Sequence, residues 1–212
     1  MENLPMTAEL MFYTNPMSRG RIVRWMLEET GADYAETVLD YGTTMKGADY
    51  LAINPMGKVP AIRHGDQLVT ECAAICAYLA DAFPEAGLAP ALDQRGAYYR
   101  WMFFAAGPLE AAVTNQALQV QVPADKQGFV GYGSMAAVLD AVSGAVKANP
   151  YIAGDRFSAA DVYVGAQIGW GLQFGTIEKR PEFADYAHRV MDRDAWRRAT
   201  EKDDALTPKQ DG

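Results

Sequence analysis

The sequence predicts an α/β domain of order βαβ–ββα followed by an all-helical bundle. Three observations lead to this prediction. Short apolar runs alternate with helical periodicity up to residue 83, a stretch rich in proline and glycine follows at 84–93, and alanine-rich helical patterns fill 94–212. We therefore predict an α/β domain over 1–83, a linker over 84–93 and a helical domain over 94–212.

The composition of the chain excludes some classes of binding partner. The chain has 212 residues, half of them hydrophobic, which is enough for one large domain or two modest domains with cores. Its formal net charge of −8 provides no basic field for phosphates, so we expect neither nucleic acid nor a membrane as partner. The residues before Leu10 lack the features of a secretory leader, and no run is long enough to span a membrane. The two cysteines predict neither a disulfide framework nor a metal site, and we expect a cytoplasmic protein.

The first elements are a strand, a helix and a strand. The apolar run at 10–13 predicts a buried strand, which the turn residues Thr14-Asn15-Pro16 end. A helix follows, with Ser18 as its expected N-cap and Gly31 as its stop. Residues 32–39 then alternate as a second strand.

The next segment is a hairpin followed by a helix. Pro60 has no N–H to give to a strand ladder, so it belongs at an edge or at the first position of a strand. Residues 61–70 predict a hairpin with its turn at 64–67, and a helix opens at Glu71 and Cys72. Together with the first elements, this order is that of a thioredoxin-like domain.

The strand edge at Pro60 and the helix start at Glu71 suit one kind of ligand. Free N–H groups and the positive end of the helix dipole would hold a carboxylate, and the strand edge could pair with an extended peptide. The site therefore suits a peptide-like anion. The alternative is an ordinary edge hairpin with a trans proline.

Three stretches of this segment carry a resemblance to a known family. They are Asn54 to Ala61 (NPMGKVPA), Asp66 to Ile75 (DQLVTECAAI) and Tyr78-Leu79. Together they resemble the glutathione-site signature of the glutathione transferases. The loop from Tyr13 to Arg19 is similar to the bacterial and fungal branch of that family, which often carries Ser-Arg at this point.

The resemblance implies a role for each residue of the signature. Val59, before a cis proline at Pro60, would pair with the cysteinyl backbone of glutathione, and Lys58 would meet its glycine carboxylate. The family caps the γ-glutamyl end with an acidic residue and a serine, which here are Glu71 and Cys72. Cys72 departs from the pattern, and a thiol is a weaker donor than a hydroxyl.

A glutathione enzyme also needs a thiolate, which a free thiol only partly supplies at neutral pH. A hydroxyl or amide donor at the start of the first helix would lower the thiol pKa. Ser18 fits this position, although it could also be an ordinary N-cap. Tyr13, Thr14 and Asn15 are the alternatives, because the family places its donor at different points of this loop.

In the helical domain, Ser158 and Asp161 predict a capping box, which we assign to folding rather than to catalysis. The aromatic cluster near residue 100 is expected in the core. Of its members Tyr98, Trp101 and Phe104 are candidates for lining an apolar substrate pocket. The resemblance covers roughly residues 10–196 and therefore both predicted domains. It implies a homodimer and a role in detoxification.

We interpret the chain as a glutathione transferase that conjugates glutathione to a small hydrophobic electrophile. One alternative is a glutathione-dependent peroxidase or thiol reductase on the same fold. However, no cysteine follows the first strand, which argues against disulfide exchange. Another alternative is a non-catalytic interaction module, which Cys72 and the lack of an unambiguous thiol donor favour.

Overall fold

The computed structural model describes residues 10–207. The prediction that the residues before Leu10 lack the features of a secretory leader concerns residues outside this range. The chain divides into two compact units. The first contains residues 10–86 and 194–207 of the described range, and the second contains residues 87–193.

The strands and helices follow one another in the order β1 (Leu10–Thr14), α1 (Gly20–Thr30), β2 (Ala35–Val38), α2 (Ala48–Leu51), β3 (Ala61–His64), β4 (Gln67–Thr70), α3 (Cys72–Ala82), α4 (Gly96–Phe104), α5 (Glu110–Ala117), α6 (Met135–Ala148), α7 (Ala159–Phe174), α8 (Pro181–Met191) and α9 (Asp194–Leu206). Short 3₁₀ helices lie at 44–46, 84–86, 92–94 and 124–129.

The four strands form one mixed sheet in the order β2-β1-β3-β4. β2 runs parallel to β1, whereas β3 is antiparallel to both β1 and β4. This is the predicted thioredoxin-like arrangement. β2 is shorter than the predicted strand and mostly exposed, because it lies at an edge of the sheet.

The hairpin forms where it was predicted, with strands that reach one residue further into the turn. His64 lies opposite Gln67, so the turn is only Gly65-Asp66, and Gly65 has a φ of 57°. β3 is an internal strand that begins at Ala61. Pro60 therefore lies directly before the first residue of a strand, close to the second predicted position, and the predicted strand edge is wrong.

Successive residues of β1 face opposite sides of the sheet. Phe12 is fully buried on one side, with the Arg24 guanidinium 5.3 Å from its ring centre. Tyr13 lies on the other side, with its ring 5.7 Å from that of Tyr50. The small cluster around Tyr50 also contains the half-buried Val59, so the β1 side chains and the segment before β3 share one layer.

α9 packs on α1 in the first unit, although the sequence grouped it with the helical domain. Arg24 Nε donates to Asp203 Oδ1 at 2.8 Å, and each side chain is only 1% exposed. The rings of Trp25 and Trp196 meet edge to face at 4.9 Å. We propose that the linker over 84–93 still separates two domains, with α9 part of the first.

The second unit is helical. The π-helical turn Ala105–Leu109 contains Pro108 and interrupts the α-helical pattern between α4 and α5. The capping box of Ser158 and Asp161 at the start of α7 is confirmed.

The Asp161 carboxylate does more than cap one helix. It accepts from the Ile152 N–H at 2.7 Å, the Ser158 N–H at 3.0 Å and the Tyr186 hydroxyl at 2.9 Å. Burial raises the pKa of this carboxyl to about 6, and these hydrogen bonds oppose that rise. Asp161 therefore joins α7, α8 and the loop before α7.

No helix within residues 10–207 has the length and apolar character that crossing a membrane requires.

We expect Asp161→Ala to lower the free energy of unfolding by about 3 kcal/mol or more, because it leaves several buried donors without an acceptor. Tyr186→Phe, which removes one of those donors, is the matched control and should cost only about 1–2 kcal/mol. Urea unfolding of the variants measures both. A loss below about 1 kcal/mol for Asp161→Ala would contradict this account.

Gly20→Ala should also destabilise the protein, because a Cβ at Gly20 would overlap Thr14 Oγ1 and lie 3.0 Å from Ser18 Oγ. We expect a loss of about 1–3 kcal/mol in the free energy of unfolding. Gly144→Ala is the control, since nothing lies within 4 Å of a Cβ in the middle of α6, and it should gain about 0.5–1 kcal/mol. Equal effects of the two changes in thermal unfolding would rule out the close contact.

Candidate functional site

The loop between β1 and α1, residues 15–19, is organised by Asn15. The Asn15 Nδ2 donates to the Leu39 carbonyl at 2.8 Å, and its Oδ1 accepts from the Met17 N–H at 2.9 Å. The Asn15 carbonyl accepts from the Ser18 N–H at 3.1 Å. The side chain of Asn15 thus holds the loop in a compact turn.

Ser18 is half-buried at the start of α1. Its hydroxyl donates to the Asn15 carbonyl at 2.7 Å and accepts from the Gly20 N–H at 2.9 Å. The assigned helix begins at Gly20, and Arg19 before it makes no side-chain cap. The Ser18 hydroxyl instead accepts from the N–H at the helix start, which is the capping role that the sequence predicted. The Ser18 hydroxyl therefore lies at the positive end of the helix dipole, where a thiolate would be stabilised.

The side chains of the other three donor candidates differ in their exposure to solvent. Thr14 is fully buried, with its hydroxyl against Gly20, and the Asn15 side chain is 8% exposed. Tyr13 is half-buried among the residues around Tyr50. Of the four candidates, Ser18 and Tyr13 therefore have the more accessible side chains.

The backbone before β3 is fixed by two side chains that sequence reasoning missed. The Lys58 carbonyl accepts from the Tyr50 hydroxyl at 2.6 Å and from Asn54 Nδ2 at 2.8 Å. Burial raises the pKa of Tyr50 to about 12, so it remains a donor at neutral pH. The turn signal at Asn54-Pro55 could have identified Asn54 as a residue that fixes the backbone here. No local sequence pattern identifies Tyr50.

The residues that follow this carbonyl adopt the expected geometry. The Val59–Pro60 peptide bond is cis, as predicted. Val59 is half-buried, whereas the Lys58 side chain is exposed.

The start of α3 lies beside the loop at 15–19. Glu71 is exposed and has a φ of 67°, a conformation that residues other than glycine rarely adopt. Cys72 is the first residue of α3, and its Sγ lies 3.8 Å from the Arg19 carbonyl. This contact brings the N-termini of α1 and α3 together. Cys76 is fully buried, as expected of a structural cysteine.

The aromatic candidates of the second unit lie mostly in its core. Tyr98 is 1% exposed and Trp101 is 4% exposed, so both lack the accessible surface that lining a substrate pocket requires. Phe104 is half-buried and packs edge to face on Trp101 at 5.2 Å. Within residues 10–207, no group of three or more His, Cys, Asp or Glu side chains could hold a metal ion.

Known proteins with related sequences include plant transferases. Residues 17–82 match the family model described as Glutathione S-transferase, N-terminal domain. The chain is 30% identical over 165 residues to Glutathione S-transferase 3 of Zea mays, which covers 73% of this chain and 74% of that protein.

Solved structures with the same fold include two bacterial proteins. A glutathione transferase from Methylococcus capsulatus str. Bath is 30% identical with a TM-score of 0.77, over 92% of this chain and 99% of that one. A sphingomonad glutathione S-transferase, solved in complex with glutathione, is 28% identical with a TM-score of 0.74, over 92% and 98% of the two chains. With this identity over most of both chains, the protein belongs to the glutathione S-transferase family.

Proposed function

We propose that this glutathione transferase binds its co-substrate at the α/β unit, stabilises the thiolate with the loop at 15–19, and conjugates it to a small hydrophobic electrophile. The observation that carries the proposal is the contact between Cys72 Sγ and the Arg19 carbonyl. An anion held at the start of α3 would then lie close to the Ser18 hydroxyl. One extended tripeptide could reach both.

Glutathione would be held mainly by backbone. The Val59 peptide pairs with the cysteinyl residue, and the two donors to the Lys58 carbonyl orient that segment. The exposed Lys58 side chain is available to the glycine carboxylate. At the other end, the N–H groups and dipole of α3 bind the γ-glutamyl carboxylate.

Glu71 and Cys72 complete the γ-glutamyl end. The Glu71 carboxylate attracts the γ-glutamyl ammonium. The Cys72 thiol points to the Arg19 carbonyl, so the Cys72 N–H, rather than the thiol, takes over the role of the family's serine.

Activation of the thiol rests on Ser18. Its hydroxyl would rotate from the Asn15 carbonyl to donate to the glutathione sulfur, while still accepting from the Gly20 N–H. The thiol loses its proton to solvent, and the sulfur lone pair forms a C–S bond with the electrophilic carbon. The leaving group departs with its bonding electrons. Tyr13 is the alternative donor.

Retention on glutathione-agarose, followed by a chlorodinitrobenzene assay, tests the proposal. We expect turnover by the wild type and a loss of about 10²-fold in kcat for Ser18→Ala, because an electrostatic donor is lost. Ser18→Thr keeps a hydroxyl and is the matched control. Full activity of Ser18→Ala would contradict the role of Ser18.

The same assay separates the other candidate functions. Binding without turnover of any electrophile or peroxide would support a non-catalytic module, which the cysteine at position 72 favours. Turnover of a hydroperoxide, but not of chlorodinitrobenzene, would support a glutathione-dependent peroxidase.

We also propose a homodimer in the cytoplasm. Three apolar side chains are exposed at and before α4, with 81% of Leu92, 43% of Tyr99 and 72% of Phe103 accessible. Tyr99 and Phe103 are four residues apart and share one face of the helix. A cytoplasmic location is supported by Cys72 and Cys76, which are thiols rather than a disulfide.

Sedimentation tests the dimer. We expect the wild type to have twice the chain mass of 23.1 kDa. Phe103→Glu should give monomers, because it places a charge on the apolar face. Phe174→Glu is the matched control, since Phe174 is 71% exposed on a different helix. A wild type that sediments as a monomer would refute the dimer.

A further inference from the structure

Arg21, in the first turn of α1, bonds to the loop at 15–19 and to α9 at the same time. Its Nε donates to the Pro16 carbonyl at 2.6 Å. Its Nη2 donates to Asp204 Oδ1 at 2.7 Å and lies 3.5 Å from Thr207 Oγ1. Arg21 and α9 belong to the same compact unit. One guanidinium therefore joins α9 to the loop.

The bond from Arg21 helps to fix one peptide group of the loop, the one that links Pro16 to Met17. Arg21 Nε bonds to the carbonyl oxygen of this peptide group. Asn15 Oδ1 accepts at 2.9 Å from its N–H. Because a peptide group is planar, two hydrogen bonds at its opposite ends determine how the plane is turned. Ser18 follows directly, so the direction of its backbone depends on this plane.

Asp204 determines the direction in which Arg21 donates. A guanidinium is planar and its N–H groups point in fixed directions, so holding Nη2 also orients Nε. The Arg21 side chain is 23% exposed, whereas that of Asp204 is 62% exposed. An ion pair with so exposed a carboxylate contributes little to stability. We therefore expect Asp204 to matter more for the orientation of Arg21 than for folding.

α9 provides a fixed support for Asp204, because other contacts hold this helix on α1. The neighbouring Asp203 is 1% exposed and accepts from Arg24 Nε at 2.8 Å. Further along the two helices, Arg198 Nε donates to Glu28 Oε2 at 3.1 Å. Removing the Asp204 carboxylate should therefore leave α9 in place and release only the guanidinium that it holds.

We infer that Arg21 is a positioning residue for the Ser18 hydroxyl, and that Asp204 of α9 holds Arg21 in place. The inference rests on the proposed role of Ser18 as the thiol donor. Such a donor is effective when its direction toward the reacting atom is set in advance. Arg21 sets this direction through the backbone of the loop.

A purely electrostatic role for this ion pair predicts a shift of the opposite sign. A carboxylate disfavours a nearby thiolate, so removing Asp204 would lower the thiol pKa if only charge mattered. If Asp204 positions the loop, its removal should instead raise the pKa of the bound thiol, because Ser18 donates less well. Asp204→Ala and Asp204→Asn separate the two roles, since asparagine removes the charge but keeps an acceptor for Arg21.

The first measurement needs no ligand. Amide hydrogen exchange of the free protein follows the N–H groups of Met17 and Ser18, both of which donate within the loop. We expect Asp204→Ala to speed their exchange by about fivefold, which corresponds to the loss of one hydrogen bond. The Trp25 amide, in the middle of α1, should keep its rate. Unchanged exchange at Met17 and Ser18, or equal acceleration at Trp25, would overturn the inference.

The second measurement is the thiol pKa of bound glutathione, followed by thiolate absorbance. We expect Asp204→Ala to raise this pKa by about 0.5 and Asp204→Asn to keep the wild-type value. Arg21→Lys should also raise it, because lysine keeps the charge but lacks the planar fork. Glu201→Ala, which removes another exposed carboxylate of α9, is the control and should change neither measurement.

A lowered or unchanged thiol pKa in Asp204→Ala would overturn the inference. A wild type that fails to lower the thiol pKa would refute the proposed function itself, and the exchange rates would then still decide whether Asp204 holds the loop.

Discussion

The close contact between Thr14 at the end of β1 and Gly20 at the start of α1 sets the geometry of the candidate site. With no side chain at Gly20, the helix can begin directly against the Thr14 hydroxyl, and the chain between them must turn tightly. Asn15 holds that turn, and as a result the Ser18 hydroxyl lies at the positive end of α1. The start of α3 meets the same turn through Cys72, so the N-termini of both helices lie beside this turn.

The features that the sequence could predict are those with a local physical cause. Gly65 reverses the hairpin because its φ is positive, and Gly31 ends α1 for the same reason. The capping box of Ser158 and Asp161 is also local, since its partners are three residues apart. The thioredoxin-like order of elements followed from such signals together. The residues around Pro60 were found from the glutathione-site signature rather than from periodicity.

The features that could not be predicted depend on partners that are distant in sequence or on packing. Arg24 pairs with Asp203, 179 residues away, so nothing local indicates that α9 packs on the α/β unit. The hydrogen bond from Tyr50 to the Lys58 carbonyl depends on how α2 packs beside the segment before β3. Which aromatic side chains become fully buried is likewise decided by packing.

The central claim is that the loop at 15–19 lowers the pKa of the glutathione thiol through the Ser18 hydroxyl. Titration of thiolate absorbance in the protein–glutathione complex tests it most directly, with wild type, Ser18→Ala, Ser18→Thr and Tyr13→Phe measured side by side. The account predicts that binding lowers the thiol pKa in the wild type, in Ser18→Thr and in Tyr13→Phe, and that Ser18→Ala returns it toward the value of free glutathione. A lowered pKa that persists in Ser18→Ala but is lost in Tyr13→Phe would contradict the account and assign the role to Tyr13.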